Sequence, residues 1–169
     1  MKGRNVARRQ ARKLLSMLPS QDELSLCDNP AVDVEAIAKS LNINIVPFPF
    51  PENISGAFFK KDEKLFLGVN QEEADVRKRF TMAHEIGHYL LHPSDALHYD
   101  GPDVVYFRSA NISKPEEVEA NYFAAELLMP EERLTKCLDL GVQSISELAR
   151  RFRVSEQAMT YRLTNLGLM

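Results

Sequence analysis

Two histidines one helical turn apart, with a glutamate directly after the first, are the clearest chemical signal in this chain. Residues 84–88 read His84-Glu85-Ile86-Gly87-His88. A four-residue step on a helix is one turn plus about 40°, so both imidazoles leave the same face, about 6 Å apart along the axis. Zinc accepts neutral imidazole nitrogen at about 2.0–2.1 Å. Glu85 projects from the adjoining edge of the helix, where it can hold a water without being a ligand. Zinc lowers the pKa of such a water toward about 7, and the carboxylate takes its proton as it attacks a carbonyl. The plain alternative is a helix whose histidines only hydrogen-bond.

A catalytic zinc usually takes a third protein ligand and keeps one position for water. His92 is the nearest candidate, but three histidines at four-residue steps on a straight helix spread over about 12 Å and do not converge. Tyr89-Leu90-Leu91 supplies no glycine bend, so His92 is expected beside the site or at the helix end. A second helix, expected over 113–130, carries Glu116, Glu117, Glu119 and Glu126. Its core stripe at helical spacing is Ala120, Phe123, Ala124 and Leu127. Glu117 falls on the far edge beside Asn121, and Glu116 is explained by capping. Glu119 and Glu126 flank Phe123 on one side. A carboxylate at a core edge needs a partner, because burying an unpaired charge is costly. A metal would supply one, and periodicity does not choose between Glu119 and Glu126.

The elements that must position these groups follow from local signals. A basic helix occupies the start, with apolar Val6, Ala7, Leu14, Leu15 and Leu18, and Pro19 stops it. Asp33 opens a helix whose stripe is Val34, Ile37, Ala38 and Leu41, and Asn42 is its left-handed stop. Asn44-Ile45-Val46 is a short strand. Residues 56–69 form a hairpin about the charged turn Lys61-Asp62-Glu63-Lys64. Asn70 and Glu73 resemble a capping box for the helix that carries the histidines, and Pro93 ends it. A loop spans 93–112. Ser113 and Glu116 cap the second helix, Pro130 ends it, and a further short helix fills 131–140.

Two stretches together resemble the ImmA/IrrE family of zinc metallopeptidases. The first is Arg79-Phe80-Thr81-Met82-Ala83-His84-Glu85-Ile86-Gly87-His88-Tyr89-Leu90-Leu91-His92. The second is Glu119-Ala120-Asn121-Tyr122-Phe123-Ala124-Ala125-Glu126-Leu127-Leu128-Met129-Pro130. Weaker likeness extends over roughly residues 30–135. The resemblance implies a third metal ligand at the glutamate preceding Ala-Asn, here Glu119. It also implies a cytoplasmic peptidase that cleaves, or relieves repression by, a helix-turn-helix repressor of the Xre type, in stress-response or mobile-element settings.

Composition sets the remaining bounds. At 169 residues, 44% hydrophobic and 27% charged, the chain is of ordinary globular make-up and long enough for one core. Cys27 and Cys137 allow at most one bridge, so they are expected as thiols in a reducing compartment. No apolar run is long enough to span a membrane. The first twenty residues hold six basic and no acidic side chains, and no apolar signal-peptide core follows them. A mitochondrial presequence is not excluded by this composition, although a helix with a basic solvent face explains it.

Residues 144–166 resemble a helix-turn-helix. Leu148, Ala149 and Phe152 make one stripe, Val154-Ser155 the turn, and Ala158, Met159, Leu163 and Leu166 a second stripe. Four arginines against two glutamates is a weak balance for reading phosphates. A helical pair that packs on the peptidase or holds a protein is therefore expected over a DNA reader.

The expected architecture is α+β: a zincin-like metallopeptidase domain over 1–140 with a small sheet, and a helix-turn-helix-like unit over 141–169. The expected function is zinc-dependent endopeptidase action, with Zn2+ on His84, His88 and Glu119 and Glu85 as general base. Tyr89, His92, His98, Tyr99, Tyr106 and Tyr122 are candidate oxyanion donors. The rival class is a DNA- or protein-binding antirepressor whose metal site is structural.

Overall fold

A computed structural model describes residues 2–18, 25–52, 54–92, 105–107 and 114–169, with backbone alone for 2, 25, 26 and 105–107. It is a mixed α+β structure. Helix α1 (Lys2–Leu15) and the short α2 (Ser25–Asp28) precede α3 (Val34–Ser40), β1 (Ile43–Phe48), β2 (Gly56–Lys61) and β3 (Lys64–Asn70). Then come α4 (Asp75–Leu91), β4 (Val105–Phe107), α5 (Lys114–Leu128), α6 (Glu131–Asp139), α7 (Ile145–Phe152) and α8 (Glu156–Leu166). None of the described helices is long and apolar enough to cross a membrane.

The local signals explain most boundaries. Asp33 Oδ1 accepts from the Ala36 N–H at 2.9 Å and so caps α3, and Asn42 stops it at φ 58°. Asp62 and Glu63 both have positive φ, 48° and 61°, and join β2 to β3 with Lys61 opposite Lys64. That left-handed pair matches the twist of the strands it connects. The sheet order is β1-β3-β2-β4, with β1 parallel to β3 and the other pairs antiparallel.

Two elements differ from their sequence expectation. Asn70 does not cap α4; it ends β3. Its amide donates to the Phe50 and Ile54 carbonyls at 3.3 and 3.0 Å, and its oxygen accepts from the Glu72 N–H. Helix α4 instead starts after Ala74, without a side-chain cap. Residues 105–107 form a strand where a loop was expected over 93–112. Three residues carry no periodicity to read, and β4 exists because the edge of β2 accepts it from Phe58 to Lys60.

One apolar core runs from α1 to α8. It holds Ala7 and Ala11, Leu67 of the sheet, Ile86 of α4, Phe123 and Leu127 of α5, and Phe152 and Met159 of the C-terminal helices. Arg79 is buried beneath it. Its guanidinium donates to the Val32 carbonyl at 2.9 Å and the Arg153 carbonyl at 3.3 Å, tying α4 to the chain before α3 and to the α7–α8 turn. The basic face of α1 is partly paired at the surface, since Arg8 and Arg12 both bind the Glu131 carboxylate.

Arg162 of α8 is 3% exposed, so it is no surface reader of nucleic acid. Its Nη1 donates to Glu126 Oε1 at 3.0 Å and its Nε to the Met129 carbonyl at 3.0 Å. Arg162→Met should cost about 3 kcal/mol, because it strands a buried carboxylate left, among the described residues, with Arg8 at 3.6 Å. Pairing it with Glu126→Leu should recover most of the loss. Urea denaturation of the single and double variants checks this, and an unchanged midpoint for Arg162→Met would show the pair to be idle.

Candidate metal centre

The site forms where α4 crosses α5. Gly87 sets the separation: a Cβ there would lie 3.0 Å from Phe123 Cδ1 and 3.3 Å from the Ala120 backbone. A larger residue would push α5 away from the histidines on either side of that position. On the facing edge of α5, Glu117 and Asn121 stand one turn apart, so both look across at α4.

His84 Nε2 and His88 Nε2 are 3.0 Å apart. The Glu117 carboxylate reaches both, Oε2 to His84 at 3.4 Å and Oε1 to His88 at 3.4 Å. Ligand atoms bonded tetrahedrally at about 2.0–2.1 Å lie about 3.3–3.4 Å from one another, so this spacing suits one small cation. Among the described residues this trio is the group whose ligand atoms converge in that way. Asn121 Oδ1 faces His84 Nδ1 at 3.0 Å. An amide oxygen only accepts, so Nδ1 carries the hydrogen and Nε2 turns its lone pair toward the cluster.

Glu119 stands elsewhere. It lies on the edge of α5 that meets α1, where a Cβ on Gly3 would coincide with its carboxylate. Its Oε2 is 3.6 Å from His92 Nε2. Glu126, the other carboxylate that periodicity left open, serves Arg162 and Arg8. The geometry therefore brings His84 and His88 together with Glu117 and not with Glu119. Glu126 is partnered from α1 and α8 and Glu119 faces the start of α1 and His92 at the end of α4, packing that no periodicity in α5 reveals. The signal that could have found Glu117 is its i, i+4 relation to Asn121.

Glu85 is half-buried on the sheet side of the histidines. Gly56, the first residue of β2, lies close over it: a Cβ there would be 2.6 Å from Thr81 Cγ2 and 3.6 Å from Glu85 Cγ. Of the candidate oxyanion donors, Tyr89 packs on Phe58 with ring centroids 5.4 Å apart. Tyr122 lies under the Arg4 guanidinium at 4.7 Å. His98 and Tyr99 fall outside the described residues, as does the Tyr106 side chain.

His88 is held neutral. Burial disfavours its imidazolium, the neighbouring His84 adds to the effect, and its pKa falls from the usual 6.5 to about 4. The unfolded chain then binds more protons than the folded one between about 6.5 and about 4. Stability present above the upper limit is lost as the pH falls through that window. Thermal unfolding of the metal-free protein should move to lower temperature on acidification across this range, and His88→Gln should flatten the dependence. A melting temperature equally pH-sensitive in both proteins would remove His88 as its source.

Comparison with known proteins follows the same lines. The peptidase M78 family, described as the IrrE N-terminal-like domain, matches residues 38–164. Immunity region protein 2 of Bacillus phage phi105 is 32% identical over 96 residues, which is 56% of this chain and 57% of that protein. The radiation response metalloprotease IrrE of Deinococcus radiodurans is 35% identical over 99 residues, 57% of this chain and 30% of that protein. Its counterpart in Deinococcus deserti is 37% identical over 99 residues, 56% of this chain and 34% of that protein. The chain thus spans between about a third and just over half of the relatives it matches. A solved Mycobacterium tuberculosis transcriptional regulator shares the fold at TM-score 0.57 and 19% identity, over 96% of this chain and 47% of that one.

Proposed function

The chain belongs to the peptidase M78 family of IrrE N-terminal-like domains, and from that premise we propose that it is a zinc-dependent endopeptidase acting in the cytoplasm on a protein, with a helix-turn-helix repressor of the Xre type as substrate. The observation that carries this is the convergence of His84, His88 and Glu117 with Glu85 beside them. Two imidazoles and a carboxylate are a donor set that zinc accepts, and three ligands leave a position open. A bound zinc supplies Lewis acidity at the scissile carbonyl and eases deprotonation of the attacking water.

The chain's own residues do the rest. Asn121 fixes the tautomer of His84. Glu85 takes the proton of the attacking water and returns it to the leaving amide nitrogen. The Gly56 end of β2 lies close over the glutamate, where the missing Cβ lets the strand pack on Thr81 and Glu85. The zincin-like domain is assigned to 1–140. Residues 141–169 form the helix-turn-helix-like unit, whose α7 and α8 are capped by Ser144 and Ser155 and joined through Arg153 in the left-handed region.

The similarity to a phage immunity region protein supports a regulatory protein as target. Both cysteines are free thiols, in keeping with a reducing compartment. The neutral exposed face of α8, with Gln157, Tyr161, Thr164 and Asn165, favours a protein-facing role over phosphate reading.

The test is incubation of the zinc-loaded protein with the repressor encoded beside its gene, followed by mass spectrometry. The expected result is discrete fragments that vanish on chelation and return with zinc. Release of the repressor from its operator with no fragments would sink the peptidase reading and leave an antirepressor acting by occupancy.

A further inference from the structure

A trough of about 530 Å³ runs from the back of the metal cluster along α4 and α5 to α8, with α1 at one side. Its floor includes Ala125, Leu128 and Ala158. Its rim carries Val76, Val118 and Tyr161, which are 39%, 44% and 64% exposed. Large apolar side chains open to solvent on one rim mark a surface that something covers. The trough meets the site directly, because Phe80 stacks on His84 with centroids 5.9 Å apart and Asn121 holds His84 Nδ1.

Its charge is one-sided. The chain carries 24 acidic side chains, yet no described residue lining the trough is acidic. Three arginines line it. Arg162 is neutralised by Glu126, and Arg77 stays 59% exposed beside Glu73 at 3.7 Å. Arg4 lies over the Tyr122 ring and has no carboxylate partner among the described residues. The walls are helices, whose backbone groups are already bonded, so they offer no edge for strand pairing. An occupant must bind through side chains, and an apolar helical stripe does so.

We infer that this trough is a docking site for an amphipathic helical segment of the protein on which the metal site acts, with apolar anchors facing Ala125 and Ala158 and acidic residues facing Arg4 and Arg77. The identity of the occupant as substrate rests on the peptidase reading; the chemistry it must present does not. Seated there, the segment brings the adjoining chain to the metal cluster, so recognition is separated from the bond that is cut.

The experiment pans a display library of short random peptides on the full, zinc-loaded protein and measures the enriched peptides by fluorescence anisotropy. Enriched sequences should carry apolar residues three and four apart with flanking Asp or Glu. Tyr161→Ala, at an exposed position that leaves the fold intact, should weaken them by about tenfold, the effect of losing an aromatic anchor. Ala125→Glu should weaken them further, with thermal unfolding as the control that both variants fold. Basic peptides, no enrichment, or binding indifferent to both substitutions would overturn the assignment. A dimer dissolved by Tyr161→Ala would give the trough to a second copy, and duplex DNA binding lost with it would give it to nucleic acid; either overturns the proposal. Cleavage is scored separately. A repressor cut normally without trough-dependent binding sinks the docking site alone, and trough-dependent binding without cleavage sinks the peptidase reading alone.

Discussion

Glu117→Gln is expected to weaken zinc binding by more than about a hundredfold, since even the outer partners of metal ligands are worth about 10–100-fold. Glu119→Gln should leave affinity close to that of the parent. The reason is geometric. Glu117 presents one oxygen to each histidine at 3.4 Å, whereas Glu119 is turned toward Gly3 and His92. An amide keeps the size of the side chain and removes its negative charge, so the contrast reads coordination and not packing. Competition against a chromophoric chelator measures both variants on one scale. Parental affinity in Glu117→Gln, or a large loss in Glu119→Gln, would move the third ligand back to the residue implied by the family resemblance.

The contrast between the implied Glu119 and the converging Glu117 shows where a sequence stops speaking. The His84-Glu85-x-x-His88 spacing states its own geometry, because every residue involved sits on one helix with a fixed period. The core stripe Ala120, Phe123, Ala124 and Leu127 is legible for the same reason, and all four are buried. Which edge of that stripe meets the histidines is a different kind of fact. It depends on α1 packing against the Glu119 side, and α1 is more than a hundred residues away in the chain. Periodicity treats the two edges alike, and the burial argument that favoured Glu119 and Glu126 was sound chemistry applied to partners not yet visible. Glu126 pairs with Arg162 and Arg8, and Glu119 lies against the start of α1 with His92 Nε2 at 3.6 Å.

The strand at 105–107 and the role of Asn70 were hidden similarly. Val105-Tyr106-Phe107 is strand-like in composition but too short to signal alone, and it is ordered by β2. Asn70 and Glu73 have capping-box spacing, but Glu73 accepts from the Ser55 hydroxyl at 2.7 Å while Asn70 fastens the loop before β2. Tertiary partners outbid the local motif in each case. The same competition holds Ser55 on Glu73 while its neighbour Gly56 lies close over Glu85, so a residue that reads as a strand start also packs against the site.

Glu85→Gln is expected to lower peptide cleavage by about 10²–10⁴-fold while zinc content and thermal stability stay near those of the parent. Glu85 stands outside the trio of converging ligand atoms, so its loss leaves His84, His88 and Glu117 in place. The amide is close in size and keeps the contact beneath Gly56, where a larger change would disturb the approach of β2 to α4. It cannot accept the water's proton at neutral pH or hand one to the departing nitrogen, so both halves of the proton transfer fail together. The measurement is the single-turnover rate on a cleaved repressor, with zinc quantified in the same sample and partner binding followed by anisotropy. Retained binding with lost cleavage separates chemistry from recognition, and a binding module working by occupancy would be indifferent to this substitution. Undiminished cleavage would take Glu85 out of the mechanism and require another base within hydrogen-bond reach of the attacking water.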